Sequence, residues 1–432
     1  MSRRIRVLLL AEACNPAWTS TPLQAFMWFK HLREVADVTL VTQVRNSDGF
    51  VDALGSVPER VHFINTESIA APLHVIGARL TGSRSGVAIG TLASIPAYYY
   101  FEWLVWRQFR HMLLAGAFDL VHRLTPSTPV VPSWLATQSP VPFVLGPLIG
   151  SLPWPHGQDD LRRAEGGWPA RFHSTARLLP YWRQTYTRAA AVLLASAHSS
   201  SLLRRVCREK LVFLPWNGVD VAACRPAKAA TAHPELRLLF VGRMIPLKQP
   251  ALILEALAAS GVPAAGVHVT FVGCGPDETH VRETAEKRGL TAQVEMKGWI
   301  AHQELPVLYQ QADLLVLPSV HESGGAVLLE AMACGLPCAV VDYGGPAEYV
   351  NADVGFRVGL GTYDDMVCGF ARLFKRAYQE RGLLRAMGDR CRDYALKHFD
   401  WRVKVQRLLG IYERIVRRSR RSGHDGRGKG RP

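Results

Sequence analysis

The chain is short of negative charge. Of its 432 residues, 51 are Lys or Arg and only 36 are Asp or Glu, which leaves a net charge of +15. It is also poor in cysteine. The eight cysteines (Cys14, Cys207, Cys224, Cys274, Cys334, Cys338, Cys368 and Cys391) lie scattered along the chain, which excludes the dense disulfide framework of small secreted domains. The close pair Cys334 and Cys338 has three residues between its members and no histidine cluster nearby, so it does not match zinc-ligand spacing. These cysteines read as small buried hydrophobes in a reducing compartment. No Asp-x-Asp metal motif, short-period repeat or uninterrupted apolar run of about 20 residues occurs. The apolar run Val7–Ala11 is too short for a signal-peptide core and reads as a buried strand. Ser85–Phe101 is charge-free but interrupted by Gly86, Gly90 and Pro96, so a buried helix is expected there. The following AYYYFEWLVWRQFR mixes aromatic and basic residues, and a second reading places it in a membrane interface without crossing it.

The positive charge is unevenly placed. Residues 1–215 carry a net +9, residues 216–416 carry none, and residues 417–432 carry +6. Such an excess suits nucleic acid, an anionic membrane or a phosphorylated substrate. Hydrophobic residues make up 48% of the chain, which excludes disorder for its bulk. Short apolar runs alternate with helical stretches in two series. The first has strands expected at Arg6–Leu10, Val38–Thr42, Val61–Ile64, Leu120–His122, Phe143–Leu145, Val192–Ala195 and Val212–Leu214. The second follows a Pro-, Ala- and Lys-rich join at Cys224–His233, with strands at Arg237–Val241, His268–Val272, Val294–Lys297, Leu314–Leu317, Cys338–Val341 and Gly355–Val358. Runs that are apolar without alternation read as strands buried on both faces, and alternation with helices implies parallel sheets. The expectation is an α/β protein of two doubly wound, Rossmann-like domains facing across a cleft. Their bounds are 1–215 and 216–400, followed by a helix at 401–416 crossing back and a disordered basic tail at 417–432.

The chemistry concentrates in ADLLVLPSVHESGGAVLLEAMACGLP. A buried strand ends at Leu317, a loop carries Glu322 and Ser323, and Gly324 and Gly325 lead into a helix holding Glu330. A helix start behind two glycines is an anion site, because free N–H groups and the helix dipole face the ligand. Two carboxylates framing it suit a nucleotide sugar, one for sugar hydroxyls and one for ribose hydroxyls. Taken alone, Glu322 reads first as a helix cap and Glu330 first as a solvated helix residue, and the strand–loop–Gly-Gly–helix context shifts the balance toward the nucleotide sugar. In LRLLFVGRMIPLKQP a strand is followed by Gly242, Arg243 and Lys248. Two cations there can neutralise a diphosphate leaving group. FVGCGPDE lacks the third glycine of a dinucleotide loop, so Gly273 and Gly275 read as turn glycines.

Together VGRMIPLK, FVGCGP, VEMKGWI, YQQADLLVLPS and HESGGAVLLEAMACGLP resemble a retaining glycosyltransferase of the GT-B fold, family 4 (glycosyl transferases group 1). The resemblance is strongest over about Leu236–Val350. It implies that Glu322 contacts the donor sugar and Glu330 the ribose, and that Arg243 and Lys248 hold the diphosphate. It also implies that Gly298, Trp299 and Ile300 lie against the base, and that Gly324 and Gly325 give backbone contacts beside Ser323. The implied reaction moves a sugar from a UDP- or GDP-linked donor to a hydroxyl acceptor with retained configuration. A phosphate oxygen of the leaving group takes the acceptor proton. The nucleotide sugar is a co-substrate, and no cofactor or metal is expected.

The first half departs from that pattern. Relatives often have a glycine-rich loop after the first strand, where this chain has AEACNPAWTSTPLQAF. Asn15 is therefore an acceptor-side candidate or a turn former before Pro16. Relatives often carry two histidines one residue apart where only His122 stands here, with Leu124 at the second position. His122 is thus a catalytic candidate or a strand-end histidine. In FVLGPLIGSLPWPHG, Trp154 and His156 are acceptor-side candidates. LPWNGVD, with Asn217 and Asp220, matches the interdomain linker. Competing readings are a nucleotide-sugar epimerase of the same fold and a non-enzymatic basic protein binding membrane or nucleic acid. The tail lacks aromatics and no nucleic-acid module is recognised, so no nucleic-acid partner is expected. The expected setting is cytoplasmic, peripheral on an anionic inner membrane face, with a lipid-linked hydroxyl as one class of acceptor.

Overall fold

The computed structural model describes residues 3–81, 87–149, 152–155, 158–164, 174–196, 203–226 and 233–427. The chain divides into two compact units. One comprises residues 1–153, 162–216 and 404–432, and the other residues 154–161 and 217–403.

The first unit is built on a seven-stranded parallel sheet. Its strands are β1 (Arg6–Ala11), β2 (Asp37–Gln43), β3 (Val61–Ile64), β4 (Leu120–Thr125), β5 (Phe143–Leu148), β6 (Ala191–Leu194) and β7 (Leu211–Phe213), in the order β3-β2-β1-β4-β5-β6-β7. All six residues of β4 and of β5 are buried. A strand covered on both faces has no use for polar alternation, as in β5 (FVLGPL), whereas β4 (LVHRLT) also buries His122, Arg123 and Thr125. The helix Thr21–Val35 buries Ala25, Phe26, Trp28, Phe29 and Leu32, the single stripe its 3.6-residue period allows. Phe26, Phe29 and Leu32 are each worth about 1.5–3 kcal/mol in full burial.

The second unit has a six-stranded parallel sheet of β8 (Leu236–Val241), β9 (Val267–Val272), β10 (Val294–Gly298), β11 (Leu314–Leu317), β12 (Cys338–Val341) and β13 (Gly355–Val358). Its order is β10-β9-β8-β11-β12-β13. Chain order therefore reverses between β8 and β11, where their following loops diverge to opposite faces of the sheet and leave a crevice. All thirteen expected strands are present, shifted by at most three residues at an end.

Two segments differ from expectation. Trp154–Leu161 lies in sequence within the first domain but belongs to the second unit, where Gln158 donates to the Gly361 carbonyl at 3.1 Å and Leu161 packs on the core. The last helix runs from Trp401 to Arg427, well past Val416. The segment from 417 lacks apolar residues but is rich in arginine, a good helix former. Glu413 pairs with Arg417 one turn on, and Arg420 reaches Asp119 at 3.3 Å. Helix growth from a packed stem adds one hydrogen bond per residue fixed, so no separate nucleus is needed. Residues 428–432 of the expected disordered tail lie outside the described residues.

Among the described residues no helix is long and apolar enough to cross a membrane. The segment 85–101 falls largely in the helix Val87–Leu114. That helix buries Tyr98, Phe101, Val105, Phe109 and Leu113 and turns Trp103, Arg107 and Arg110 outward.

Candidate functional site

The crevice between β8 and β11 gathers the second unit's chemistry. The chain leaves β8 through Gly242 and Arg243 and turns back through a short 3-10 segment, Pro246–Lys248. It leaves β11 through Pro318–Gly325 into the helix Ala326–Ala333. Lys248 from one loop meets Glu322 from the other, Nζ to Oε2, at 3.3 Å. Both side chains are mostly buried, while Arg243 is exposed on the same loop.

Backbone geometry explains the two glycines. Gly325 caps the helix at φ 99°, in the left-handed region that disfavours a side chain. A Cβ on Gly324 would stand 2.6 Å from Asn217 Nδ2, so this loop closes only around a glycine. The Gly324 amide donates to Glu322 Oε1 at 3.3 Å, and the Gly345 amide donates to the Glu322 carbonyl at 2.9 Å. Glu322 is thus held from both sides beside the start of a helix whose Leu328 amide bonds back to the Gly325 carbonyl at 3.0 Å, while the amides before it precede any i−4 acceptor within the helix. Ser323 lies between Glu322 and Gly324 and is half-buried.

Neighbouring strand ends are stitched together by backbone bonds. Gly242 N donates to Val272 O at 2.9 Å, Met244 N to Cys274 O at 3.0 Å, and Gly273 N to Gly298 O at 2.7 Å. Gly273 and Gly275 are turn residues in this stitching, as their sequence context implies. Gly298 ends β10, Trp299 after it is 74% exposed, and Ile300 packs partly on the core. An indole left in solvent at a strand's carboxyl end offers a stacking face.

Glu330 is buried in its helix, not solvated. Its Oε1 accepts from His302 Nε2 at 2.9 Å and its Oε2 from the Tyr309 hydroxyl at 2.9 Å. The hydrogen bond to Glu330 raises the His302 pKa above the usual imidazole value, with its charge adding to the effect. Burial, reinforced by the same carboxylate, pushes the Tyr309 phenol well up. Neither residue stood out in sequence. Tyr309 opens YQQADLLVLPS and His302 follows GWI, so both lie in or beside recognised segments. What was missing was the turn that folds them onto Glu330.

Trp154 joins this unit as well. Its ring stacks on His321 with centroids 4.2 Å apart and planes 7° apart, next to Glu322 in sequence. His156 lies outside the described residues.

Two candidates belong to the first unit and are used structurally there. His122 is fully buried in β4. Its Nε2 is 2.5 Å from the Gly146 carbonyl, which must accept, so Nδ1 accepts from the Tyr412 hydroxyl. Burial lowers its pKa to about 4, partly opposed by the Gly146 bond. Neither ring nitrogen is open to a substrate, which corrects the expectation of a catalytic histidine. Asn15 is also buried, and its Oδ1 accepts from the Ala17 amide at 2.9 Å. That is the turn-forming role.

Among the described residues, no group of three or more His, Cys, Asp or Glu side chains is placed to hold a metal ion.

Residues 225–393 match the family described as glycosyl transferases group 1. A D-inositol 3-phosphate glycosyltransferase of Salinispora arenicola is 34% identical over 221 residues, 46% of this chain and 48% of the relative. One from Rhodococcus erythropolis is 36% identical over 185 residues, 38% of this chain and 42% of the relative. The chain thus spans about half the length of the curated relatives it matches. Among solved structures, Anabaena HepE in complex with UDP superposes with a TM-score of 0.67 at 17% identity, over 95% of this chain and 100% of that one. Sucrose-phosphate synthase from Thermosynechococcus elongatus gives 0.65 at 16% identity, over 95% and 99%. With its two parallel doubly wound sheets, the chain has the GT-B fold of these glycosyltransferases.

Proposed function

We propose that the protein is a retaining, family 4 glycosyltransferase that moves a sugar from a nucleoside diphosphate sugar to a hydroxyl acceptor in glycoconjugate synthesis. The observation that carries this is the Lys248–Glu322 pair, which joins the two loops of the β8/β11 crevice beside a glycine-led helix start.

The chain's own groups fit each demand of that reaction. A diphosphate departing from the anomeric carbon gathers negative charge. Lys248, Arg243 and the first-turn amides after Gly325 supply fixed positive charge without a metal. Glu322, fixed by Lys248 and the Gly324 amide, is placed to orient sugar hydroxyls. Glu330 keeps unfilled lone pairs on both oxygens and suits the ribose diol. Trp299 offers its indole face to the base. In this reading the acceptor hydroxyl attacks from the face the diphosphate leaves, and a phosphate oxygen takes its proton. No buried carboxylate pair of the glycosidase kind is required. UDP, the nucleotide named in the HepE complex, is the first candidate, with GDP the second.

The first unit suggests where the enzyme works. The outward face of helix Val87–Leu114 carries Trp103, with Arg107 5.7 Å above its ring. Leu178 and Tyr181 are exposed nearby, Tyr181 standing edge-on to Tyr99 at 5.9 Å. Glu102, the one acidic residue of this helix, is buried. Exposed aromatics and arginines without an exposed acid favour peripheral attachment to an anionic cytoplasmic membrane face and a lipid-linked acceptor.

Incubation with a panel of nucleotide sugars, read by mass spectrometry, tests the reaction. Release of a nucleoside diphosphate from one donor, lost in Glu322→Gln and Lys248→Ala, is the expected result. Consumption of none, with no nucleotide bound, would overturn it.

A further inference from the structure

Among the described residues, Tyr309, His302 and Cys224 gather around Glu330. Tyr309 is buried on the helix Leu305–Gln311 and fixes one carboxylate oxygen from within the fold. His302, in the preceding loop, is 66% exposed at its side chain and holds the other oxygen from the solvent side. Cys224, in the segment after Asn217, contacts Cys334, one turn beyond Glu330 on the same helix. The Cys224 thiol is pushed up, first by its bond to Cys334 and then by burial. The Tyr309 phenol is pushed up as well. Neither takes part in titration near neutrality, whereas an imidazole bonded to a carboxylate does. A carboxylate meant to receive two hydroxyls must be held at a fixed angle. One donor fixes a single oxygen and leaves the group free to twist, while two donors on opposite oxygens remove that freedom.

We infer that His302 is a positioning residue of the nucleotide site, which in its imidazolium form orients Glu330 toward a vicinal diol and makes nucleotide affinity depend on pH. This rests on the reading of Glu330 as a ribose-binding residue. The Glu330 carboxylate makes the bond from neutral His302 charge-assisted already, and protonation of His302 strengthens it into an ion pair with both partners charged. Loss of that proton leaves a neutral, weaker donor when the remaining hydrogen sits on Nε2, and no donor toward Glu330 when it sits on Nδ1.

The test is calorimetric titration of UDP and GDP into the full chain between about pH 6 and about pH 9. Wild type, His302→Gln, His302→Ala and Glu330→Gln are compared. The exposed position of His302 should let its variants fold, and thermal melts check this. The tighter nucleotide is expected to bind wild type about tenfold more weakly at the upper pH, the order of one charge-assisted bond. His302→Gln keeps a neutral donor, so it should match wild type at high pH and lack the gain at low pH. His302→Ala should bind weakly throughout. Protonation of the nucleotide's own phosphate affects every variant alike, so the difference between profiles isolates His302. If His302→Gln and wild type share one pH profile, the inference fails while the donor site stands. If wild type binds no nucleotide, or Glu330→Gln binds as well as wild type, the donor-site reading fails and takes the inference with it.

Discussion

At the residue scale, the candidate site depends on a few contacts whose removal has distinct consequences. Lys248 faces both Glu322 and the proposed diphosphate. Lys248→Ala should therefore lower turnover by roughly 10²–10³, the range for loss of one preorganised electrostatic group, with little change in melting temperature. Gly324→Ala acts differently. Its new Cβ meets Asn217 Nδ2 at 2.6 Å, so the loop must shift and nucleotide-induced stabilisation should be lost even though no charge changes. His122 gives a prediction about stability. Its pKa falls from an ordinary value near 6.5 to about 4 in the fold, so the unfolded chain binds the extra proton first. Stability from this group is full above about 6.5 and declines as pH falls toward about 4. His122→Gln should flatten that part of a pH–melting curve. These residues also mark what sequence could convey. Glu322, Glu330, Arg243 and Lys248 sit in motifs with fixed local spacing, so they could be named from the chain. His302 and Tyr309 act through contacts 28 and 21 residues away from Glu330, which local pattern does not encode. His122 looked catalytic because a strand-end histidine in a sequence carries no sign of a tyrosine arriving 290 residues later.

At the element scale, the strands were legible because double-sided burial demands continuous apolar runs. The thirteen runs map onto two sheets with the same inner order, each reversing beside its first strand. The ends of the last helix were not legible, since apolar periodicity stops near Val416 while the backbone continues to Arg427. Past that point the ties include the exposed Arg417–Glu413 pair and the contact of exposed Arg420 with the largely buried Asp119. Exposed pairs contribute about 0–1 kcal/mol each. Truncation after Val416 should thus leave the melting temperature almost unchanged, as differential scanning calorimetry would report. The stem is different. Tyr412 is buried against His122, and Lys404 donates to the Pro215 carbonyl while standing 4.7 Å from the Trp28 ring. A cut before Lys404 should destabilise the first unit strongly, because it removes Lys404 from the Trp28 ring and Tyr412 from His122 Nδ1. Trp154–Leu161 shows the other limit, because a chain's excursion from one unit to the other leaves no mark in local composition.

At the scale of the whole molecule, the net charge is divided unevenly along the chain. Residues 216–416 are neutral overall and hold the candidate donor site, whereas the +9 lies in residues 1–215 with the exposed aromatic face of helix Val87–Leu114. Each Lys or Arg near an anionic bilayer adds about 1 kcal/mol of attraction. Co-sedimentation with anionic liposomes should therefore be strong at low salt, weak at high salt and reduced in a Trp103→Ala, Arg107→Ala double variant. The donor site should be unaffected by those two changes. The central claim is that the β8/β11 crevice holds a nucleoside diphosphate, and calorimetric titration of UDP and GDP into the full chain tests it most directly. One of them should bind with a single site, and Glu330→Ala and Arg243→Ala should each abolish or greatly weaken that binding without unfolding the protein. Absence of binding by either nucleotide, together with tight binding of duplex DNA, would contradict the account.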